Sequence, residues 1–219
     1  MKVFSVKLAL GAAVAALALS APAEARYQKA SHGGGAEAKV HAYCMTCHSR
    51  GARGFQGYLP VPQIAGLPAQ YIQIQLQAFV ERRRQRDLYF VKYNRVHGIP
   101  ESQREAIANY ISSLPPAPHP GGSSDLVAQG DKIFHGGAPD NDVPACAVCH
   151  GPEAKGEGIF PRLAGQWRPY LINKLVNWEK ERGLGPAGAD DNSQIMKPIA
   201  KSMTKDQIKA VTAYLSSLK

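Results

Sequence analysis

Two copies of the pattern Cys-x-x-Cys-His contain every cysteine of this 219-residue chain, at residues 44–48 and 146–150. In a c-type haem site, the two thiols of such a pattern add to the vinyl groups of the porphyrin, and the adjoining histidine supplies one axial nitrogen to the iron. The two copies therefore predict two covalently bound c-type haems. The predicted attachment residues and proximal ligands are Cys44, Cys47 and His48 for haem 1, and Cys146, Cys149 and His150 for haem 2.

Cysteine pairs at this spacing have other chemical uses, namely a redox-active dithiol, a disulfide or half of a zinc site. Neither the dithiol nor the zinc site requires a histidine directly after the second cysteine. A dithiol oxidoreductase would also place a single motif in a βαβ setting. On the motifs alone, zinc remains the main alternative to haem.

Residues 1–25 have the composition of an export signal. Lys2 and Lys7 give a basic start, residues 8–19 are rich in Ala and Leu, and residues 23–25 (Ala-Glu-Ala) have the form of a cleavage site. The apolar run has 12 residues, whereas about 20 are needed to span a bilayer, so cleavage is favoured over a membrane anchor. No later stretch is apolar enough to span, and the exported chain is predicted to be soluble and periplasmic, where c-type haem is attached.

Charge indicates the kind of partner. Removal of the leader would leave 24 basic and 16 acidic residues and a formal net charge of +8. This excess favours an acidic docking surface on a protein, or a negatively charged membrane, and nucleic acid is a poor partner in the periplasm. The densest cluster, residues 82–86 (Arg-Arg-Arg-Gln-Arg), is either a solvated helix end or a surface that steers a partner, with one arginine bound to haem propionates.

An internal repeat extends beyond the two motifs. The pattern Pro-x-x-Ala-Gly occurs at 62–66 and 161–165, an offset of 99 residues, and Tyr71 and Tyr170 follow at the same offset. The closing segments of the two halves also match. Between the halves, ten residues with four prolines and two glycines cannot continue a helix and indicate a linker. The predicted organisation is a leader at 1–25, domain 1 at 26–114, the linker at 115–124 and domain 2 at 125–219.

Both halves are predicted to be all-α. A helix over residues 36–43 leads into the first motif, and a helix capped by Asp125 leads towards the second. The closing helix of the second half begins with a capping-box pattern, Thr204 followed by Gln207. A half of about 90 residues has few apolar side chains with which to build a core, so the porphyrin is expected to complete each core. Aromatic residues of these helices are predicted to pack on haem and on neighbouring helices: Tyr71, Phe79, Tyr110, Tyr170, Trp178 and Tyr214.

With these features the chain resembles the dihaem cytochromes c of the cytochrome c4 family over essentially all residues after the leader. The two motifs, the Pro-x-x-Ala-Gly turns with their tyrosines, the linker and the closing helices carry the resemblance. It implies two tandem class I cytochrome c domains and a His/Met ligand pair on each iron. It also implies a periplasmic electron carrier between a dehydrogenase or quinol-oxidising complex and a terminal oxidase or another reductase.

The second half fits the ligand pattern of that family. Met196 lies between the middle and closing helices, where the family places its distal thioether, so the resemblance implies that Met196 binds the iron of haem 2. Met203 is the alternative, but a buried apolar residue is expected at its position, at the start of the closing helix. Arg182 is a candidate for binding a haem propionate.

The first half departs from that pattern, because its only methionine after the leader is Met45, inside the attachment motif. Alignment of the closing helices puts Lys92 at the position of Met196, so Lys92 is the first candidate for the distal ligand of haem 1. Burial and the charge of ferric iron would favour loss of its proton. His97, five residues further on, is the second candidate, since imidazole is the commoner haem ligand. More remote alternatives are His32, His41, Tyr93 and an open iron.

A nitrogen ligand favours ferric iron relative to a thioether, so haem 1 is predicted to have the lower potential. Electrons are then predicted to enter at haem 1 and leave through haem 2. The alternative is a small dihaem oxidoreductase, of a thiosulfate dehydrogenase-like or peroxidase-like kind, or the electron-accepting subunit of one. The chain is short, has no cysteine left as a sulfur ligand and shows no second catalytic constellation, which favours a carrier over an enzyme.

Overall fold

The computed structural model describes residues 35–57, 60–81, 83–84, 97–182 and 193–219. The predicted leader lies outside these residues, as do the ligand candidates Lys92, Tyr93 and His32 and most of the arginine cluster. Within the described ranges, extended structure is limited to three isolated β-bridges, and the other regular elements are helical. The all-α prediction is confirmed. None of the helices that the structure describes is both long and apolar enough to cross a membrane.

The first half begins with a helix that changes its winding. Helix α1 (Ala36–Lys39) continues through a π-helical segment (Val40–Cys44) into α2 (Met45–His48). The predicted helix over 36–43 is therefore present, with a wider turn in its second part, a feature often found at functional sites. The long helices α3 (Ala69–Val80) and α4 (Glu101–Ser113) follow and pack against each other.

The second half repeats this order with additional short helices. Its α-helices are α5 (Ser124–Gly136), α6 (Ala147–His150), α7 (Arg168–Val176), α8 (Trp178–Glu181), α9 (Ser193–Ser202) and α10 (Lys205–Ser217). The expected capping box is present, since Thr204 Oγ1 accepts from Gln207 N at 3.2 Å and Gln207 Oε1 accepts from Thr204 N at 2.8 Å. The expected cap at Asp125 is wrong. Ser123 is the N-cap, and Asp125 lies in the first turn, where its charge favours the helix dipole.

Each half has its own apolar core. In the first half the buried cluster includes Val40, Ile72, Leu76, Ile107 and Ile111. In the second half it includes Phe134, Leu171, Ile208, Val211 and Leu215. Tyr110 and Tyr214, from the matching closing helices α4 and α10, pack against the two clusters. Each half therefore holds its own helices in place around its motif.

Two glutamines join the halves. Gln63 N donates to Gln166 Oε1 at 2.9 Å, and Gln166 Nε2 donates to Gln63 O at 2.8 Å. Gln63 Nε2 also donates to Gly165 O at 2.8 Å. Both glutamine side chains are buried. Because a buried polar group that loses its partner is costly, this reciprocal pair fixes how the halves are docked.

The linker packs against both halves. Ala117 N donates to Gln63 Oε1 at 2.9 Å. The His119 ring stacks on Trp167, with centroids 3.5 Å apart and planes 13° apart, and Trp167 Nε1 donates to Arg53 O at 2.9 Å. The linker is thus a structural part of the contact between the halves.

Candidate functional site

The first motif presents a histidine in a defined tautomer. Nδ1 of His48 lies 2.9 Å from the carbonyl oxygen of Pro62, and because a carbonyl can only accept, Nδ1 carries the hydrogen. Burial lowers the pKa of His48 by more than this hydrogen bond raises it. The imidazole is therefore neutral, with the Nε2 lone pair available to a metal ion.

The second motif has the same arrangement. Nδ1 of His150 lies 2.9 Å from the carbonyl oxygen of Pro161, and burial again lowers the pKa of this histidine. Pro62 and Pro161 are the first residues of the two Pro-x-x-Ala-Gly turns. The repeated turn therefore orients the repeated histidine, which explains why the two patterns occur together.

The thiols do not have the properties of a redox dithiol. All four cysteines are free, and Cys47 is the exposed one among them. Burial raises the pKa of Cys44 and of Cys146 to about 11. A reactive dithiol needs a lowered thiol pKa, so this chemistry is disfavoured in both motifs.

A continuous cavity of about 430 Å³ is lined by both motifs and by side chains from both halves. Its wall is mainly hydrocarbon and aromatic. The wall includes Leu67, Ile72, Leu76, Tyr71 and Phe79 from the first half, and Leu171, Leu175, Val211, Tyr170 and Trp178 from the second. An apolar cavity with a few convergent polar groups is the form of a cofactor site.

On the distal side of the second half, α9 brings Met196 to the cavity wall, where its side chain is partly buried. Trp178 Nε1 donates to Ser193 O at 2.9 Å and so fixes the start of that helix. Met203 also reaches the cavity, but it is 9% exposed and packs in the core cluster of this half.

On the distal side of the first half, the described candidate is His97. Its ring lines the cavity and its centroid lies 6.3 Å from that of His48, with planes 76° apart. It also stacks on Phe79, with centroids 4.2 Å apart. His41, in contrast, is exposed and its Nε2 lies 3.0 Å from the Tyr110 hydroxyl. Lys92 is not among the described residues.

Two arginines, one from each half, meet at the cavity. Arg84 Nη1 and Arg182 Nη1 donate to the same acceptor, Gln75 Oε1, at 3.0 and 2.7 Å, and Arg84 Nη2 donates to the Tyr170 hydroxyl at 3.2 Å. Burial lowers the pKa of Arg84, and the charge of Arg182 lowers it further. Burial alone raises the pKa of Tyr170, but the two positive charges bring it below its ordinary value.

These features fit haem. Two neutral histidines offer Nε2, four thiols line the cavity as two pairs from the Cys-x-x-Cys-His motifs, and the wall between them is apolar. Arg182 is buried and Arg84 is partly buried. Both guanidinium groups would stabilise carboxylates, and a haem carries two of them as propionates. Arg182, the residue predicted to bind a propionate, lines the cavity, and Arg84 lines it as well.

Several residues of this site were missed in the sequence. Gln63 lies within the first of the repeated turns and Gln166 directly after the second, so they are not equivalent positions of the repeat and nothing in the repeat indicates that they pair. Arg84 was one residue of a run, with nothing to separate it from its neighbours. Gln75 gave no signal, because its role depends on an arginine from the other half.

The chain is similar to known proteins both in sequence and in structure. The family model for cytochrome c matches residues 35–115 and again 127–219. A thiosulfate dehydrogenase electron acceptor from Thiomonas intermedia is 34% identical, over 80% of this chain and 78% of that protein. Cytochrome c4 from Thiocapsa roseopersicina is 30% identical, over 83% of this chain and 90% of that protein. The solved structure of cytochrome c4 from Acidithiobacillus ferrooxidans superposes with a TM-score of 0.66 at 32% identity, covering 80% of this chain and 98% of that one.

Proposed function

The chain belongs to the cytochrome c family, as a cytochrome c4-like electron-transfer protein with two covalent c-type haems, and we propose that it shuttles electrons between redox proteins of the periplasm. The haems supply reversible one-electron chemistry. The observation that carries the proposal is the single cavity lined by both motifs. A shared cavity keeps the two redox sites close, as transfer between them requires.

The chain's own residues hold and insulate the two sites. His48 and His150 are the proximal ligands, each held in one tautomer by a proline carbonyl. The apolar wall excludes water, which limits the solvent reorganisation that accompanies a change in charge. Arg84 and Arg182 bind propionates between the halves, where Gln75 links the two guanidinium groups.

Unlike distal ligands give the transfer a direction. Met196 would supply a thioether to haem 2 and raise its potential, whereas a nitrogen ligand would keep the potential of haem 1 lower. Electrons would then enter at haem 1 and leave through haem 2. The donor is a dehydrogenase or a quinol-oxidising complex, and the acceptor is a terminal oxidase or another reductase.

The location and the docking partners follow from the leader and the charge. Residues 1–25 direct export, with a division into domain 1 (26–114), linker (115–124) and domain 2 (125–219) in the mature chain. A net charge of +8 after the leader favours partners with an acidic docking surface. Because a relative at 34% identity is a thiosulfate dehydrogenase electron acceptor, the second candidate function is that of an electron-accepting partner of such an enzyme.

Spectroelectrochemical titration of the purified dihaem protein tests the carrier proposal. Two one-electron steps at unequal potentials are expected, with low-spin iron at both sites. Equal potentials would contradict the proposed direction. Thiosulfate oxidation or peroxide reduction by the protein alone, at a high-spin iron that exchanges its ligand, would contradict the carrier function itself.

A further inference from the structure

The spacing between His48 and His97 matches that of two ligands to one iron. Their ring centroids lie 6.3 Å apart in the cavity. A metal–imidazole bond is about 2 Å long, so one ion bound by a nitrogen from each of two opposed rings separates the centroids by about 6 Å. The cavity therefore holds the two rings at the separation that an iron between them requires.

Spacing alone does not make a ligand, as the second half shows. The Phe160 ring also lies 6.3 Å from His150, but it has no donor atom and directly precedes Pro161, whose carbonyl holds the proximal histidine. His97 differs on both points. It carries ring nitrogens, and it lies between α3 and α4 in the chain, as Met196 lies between α8 and α10.

The repeat also places an aromatic residue at the same position in each half. Phe79 and Trp178 are related by the offset of 99 residues. Trp178 donates to Ser193 O at the start of α9, three residues before Met196. Phe79 stacks directly on His97, with planes 14° apart. One aromatic position therefore orients a distal candidate in both halves, through a helix in one and through ring contact in the other.

The backbone after His97 is also fixed. Ile99 N donates to His97 O at 2.8 Å, and the Ile99 side chain is 3% exposed. Arg104 Nε, from α4, donates to Ile99 O at 2.8 Å. The backbone at His97 is thus fixed by contacts with the first core and with the closing helix α4. A ligand to iron needs a backbone that is held in this way.

We propose that His97 is the distal ligand of haem 1, so that this iron is bound by two imidazoles while haem 2 is bound by His150 and Met196. The inference rests on the proposed dihaem function and deepens it, because it names the group that sets the potential of the entry site. Lys92 is then not a ligand. An amine would first have to lose a proton with a reference pKa of about 10.4, whereas a neutral imidazole binds directly.

Isotope labelling tests this in the unmodified dihaem protein. With ¹⁵N only in histidine, pulsed EPR of the ferric protein is expected to show two axial histidine nitrogens at one haem and one at the other. A single histidine nitrogen at both haems would overturn the proposal. The carrier function would still stand in that case, because it requires only two low-spin haems that exchange electrons.

Three variants, compared with the native protein, give a second test. In His97→Ala, one of the two haems is expected to bind added imidazole and to recover the native spectrum, whereas Lys92→Ala should keep the native spectrum without imidazole. His97→Met should shift the haem 1 potential upward and add a thioether charge-transfer band. An open site in Lys92→Ala together with an unchanged spectrum in His97→Ala would overturn the assignment.

Discussion

The histidine of the first motif is held by Pro62 and that of the second by Pro161, in both cases at 2.9 Å. Across the cavity the halves differ, with His97 on the wall of the first and Met196 on the wall of the second. Covalent attachment needs both thiols and the adjoining histidine in one geometry. The residues on this proximal side of the site can therefore vary little between the halves. The distal ligand mainly sets the reduction potential of a haem. It is on the distal side that the residues of the two halves differ.

The largest effect is expected from removing one attachment motif at a time. The variant Cys44→Ala/Cys47→Ala should lose haem 1 and keep haem 2, and Cys146→Ala/Cys149→Ala should do the reverse, because each half has its own core. Mass spectrometry should show the loss of one haem in each. Titration of the two single-haem variants should give the lower potential in the one that keeps haem 1. The same potential in both would remove the proposed difference between the halves.

Converting the second half to the ligation proposed for the first sharpens the comparison. Met196→His should lower the haem 2 potential by a sizeable part of the range of about 0.8 V that axial ligands span. Met203→Leu is the matched control, since Met203 packs in the core and a volume-conserving change there costs less than about 1.5 kcal/mol. If Met203→Leu moved the potential and Met196→His did not, Met203 would be the ligand.

The docking of the halves is tested by their glutamine pair. Gln63→Leu or Gln166→Leu leaves buried partners unsatisfied, so each should lower the free energy of unfolding by about 1–3 kcal/mol. The double variant should lose less than the sum of the single losses, because the two share their hydrogen bonds. Denaturant unfolding measures this. Gln129→Leu, on the exposed face of α5, should change stability by no more than about 0.5 kcal/mol.

The smallest expected effect is a pH dependence at the linker. Burial lowers the pKa of His119, the ring stacked on Trp167. Below the unfolded-state pKa of about 6.5 the unfolded chain then binds more protons, so stability is present above that pH and is lost as the pH falls. Thermal unfolding between pH 8 and pH 5 should show a steeper loss in the native protein than in His119→Phe, which keeps an aromatic ring. Parallel curves would contradict this role.

Features fixed by local chemistry were predictable from sequence, and features fixed by docking were not. The attachment motifs and the capping box at Thr204 depend on neighbours in the chain, so their spacing was sufficient. The expected cap at Asp125 is wrong because the helix begins at Ser124, one residue before Asp125, with Ser123 as its N-cap. The contacts of Gln63 with Gln166 and of Gln75 with Arg182 span 103 and 107 residues. Such contacts exist only once the halves have docked.

Gln75 also bears on how the protein loads its electrons. One carbonyl oxygen accepts a hydrogen bond from an arginine of each half, so a change in charge at either redox site acts on a group common to both. The first electron taken up makes the second harder to add, because like charges repel strongly across a cavity with few polar groups. The two reduction potentials of the complete protein therefore describe the coupled pair of haems and not each haem alone. The separation between these two potentials should exceed the difference between the potentials of the two single-haem variants.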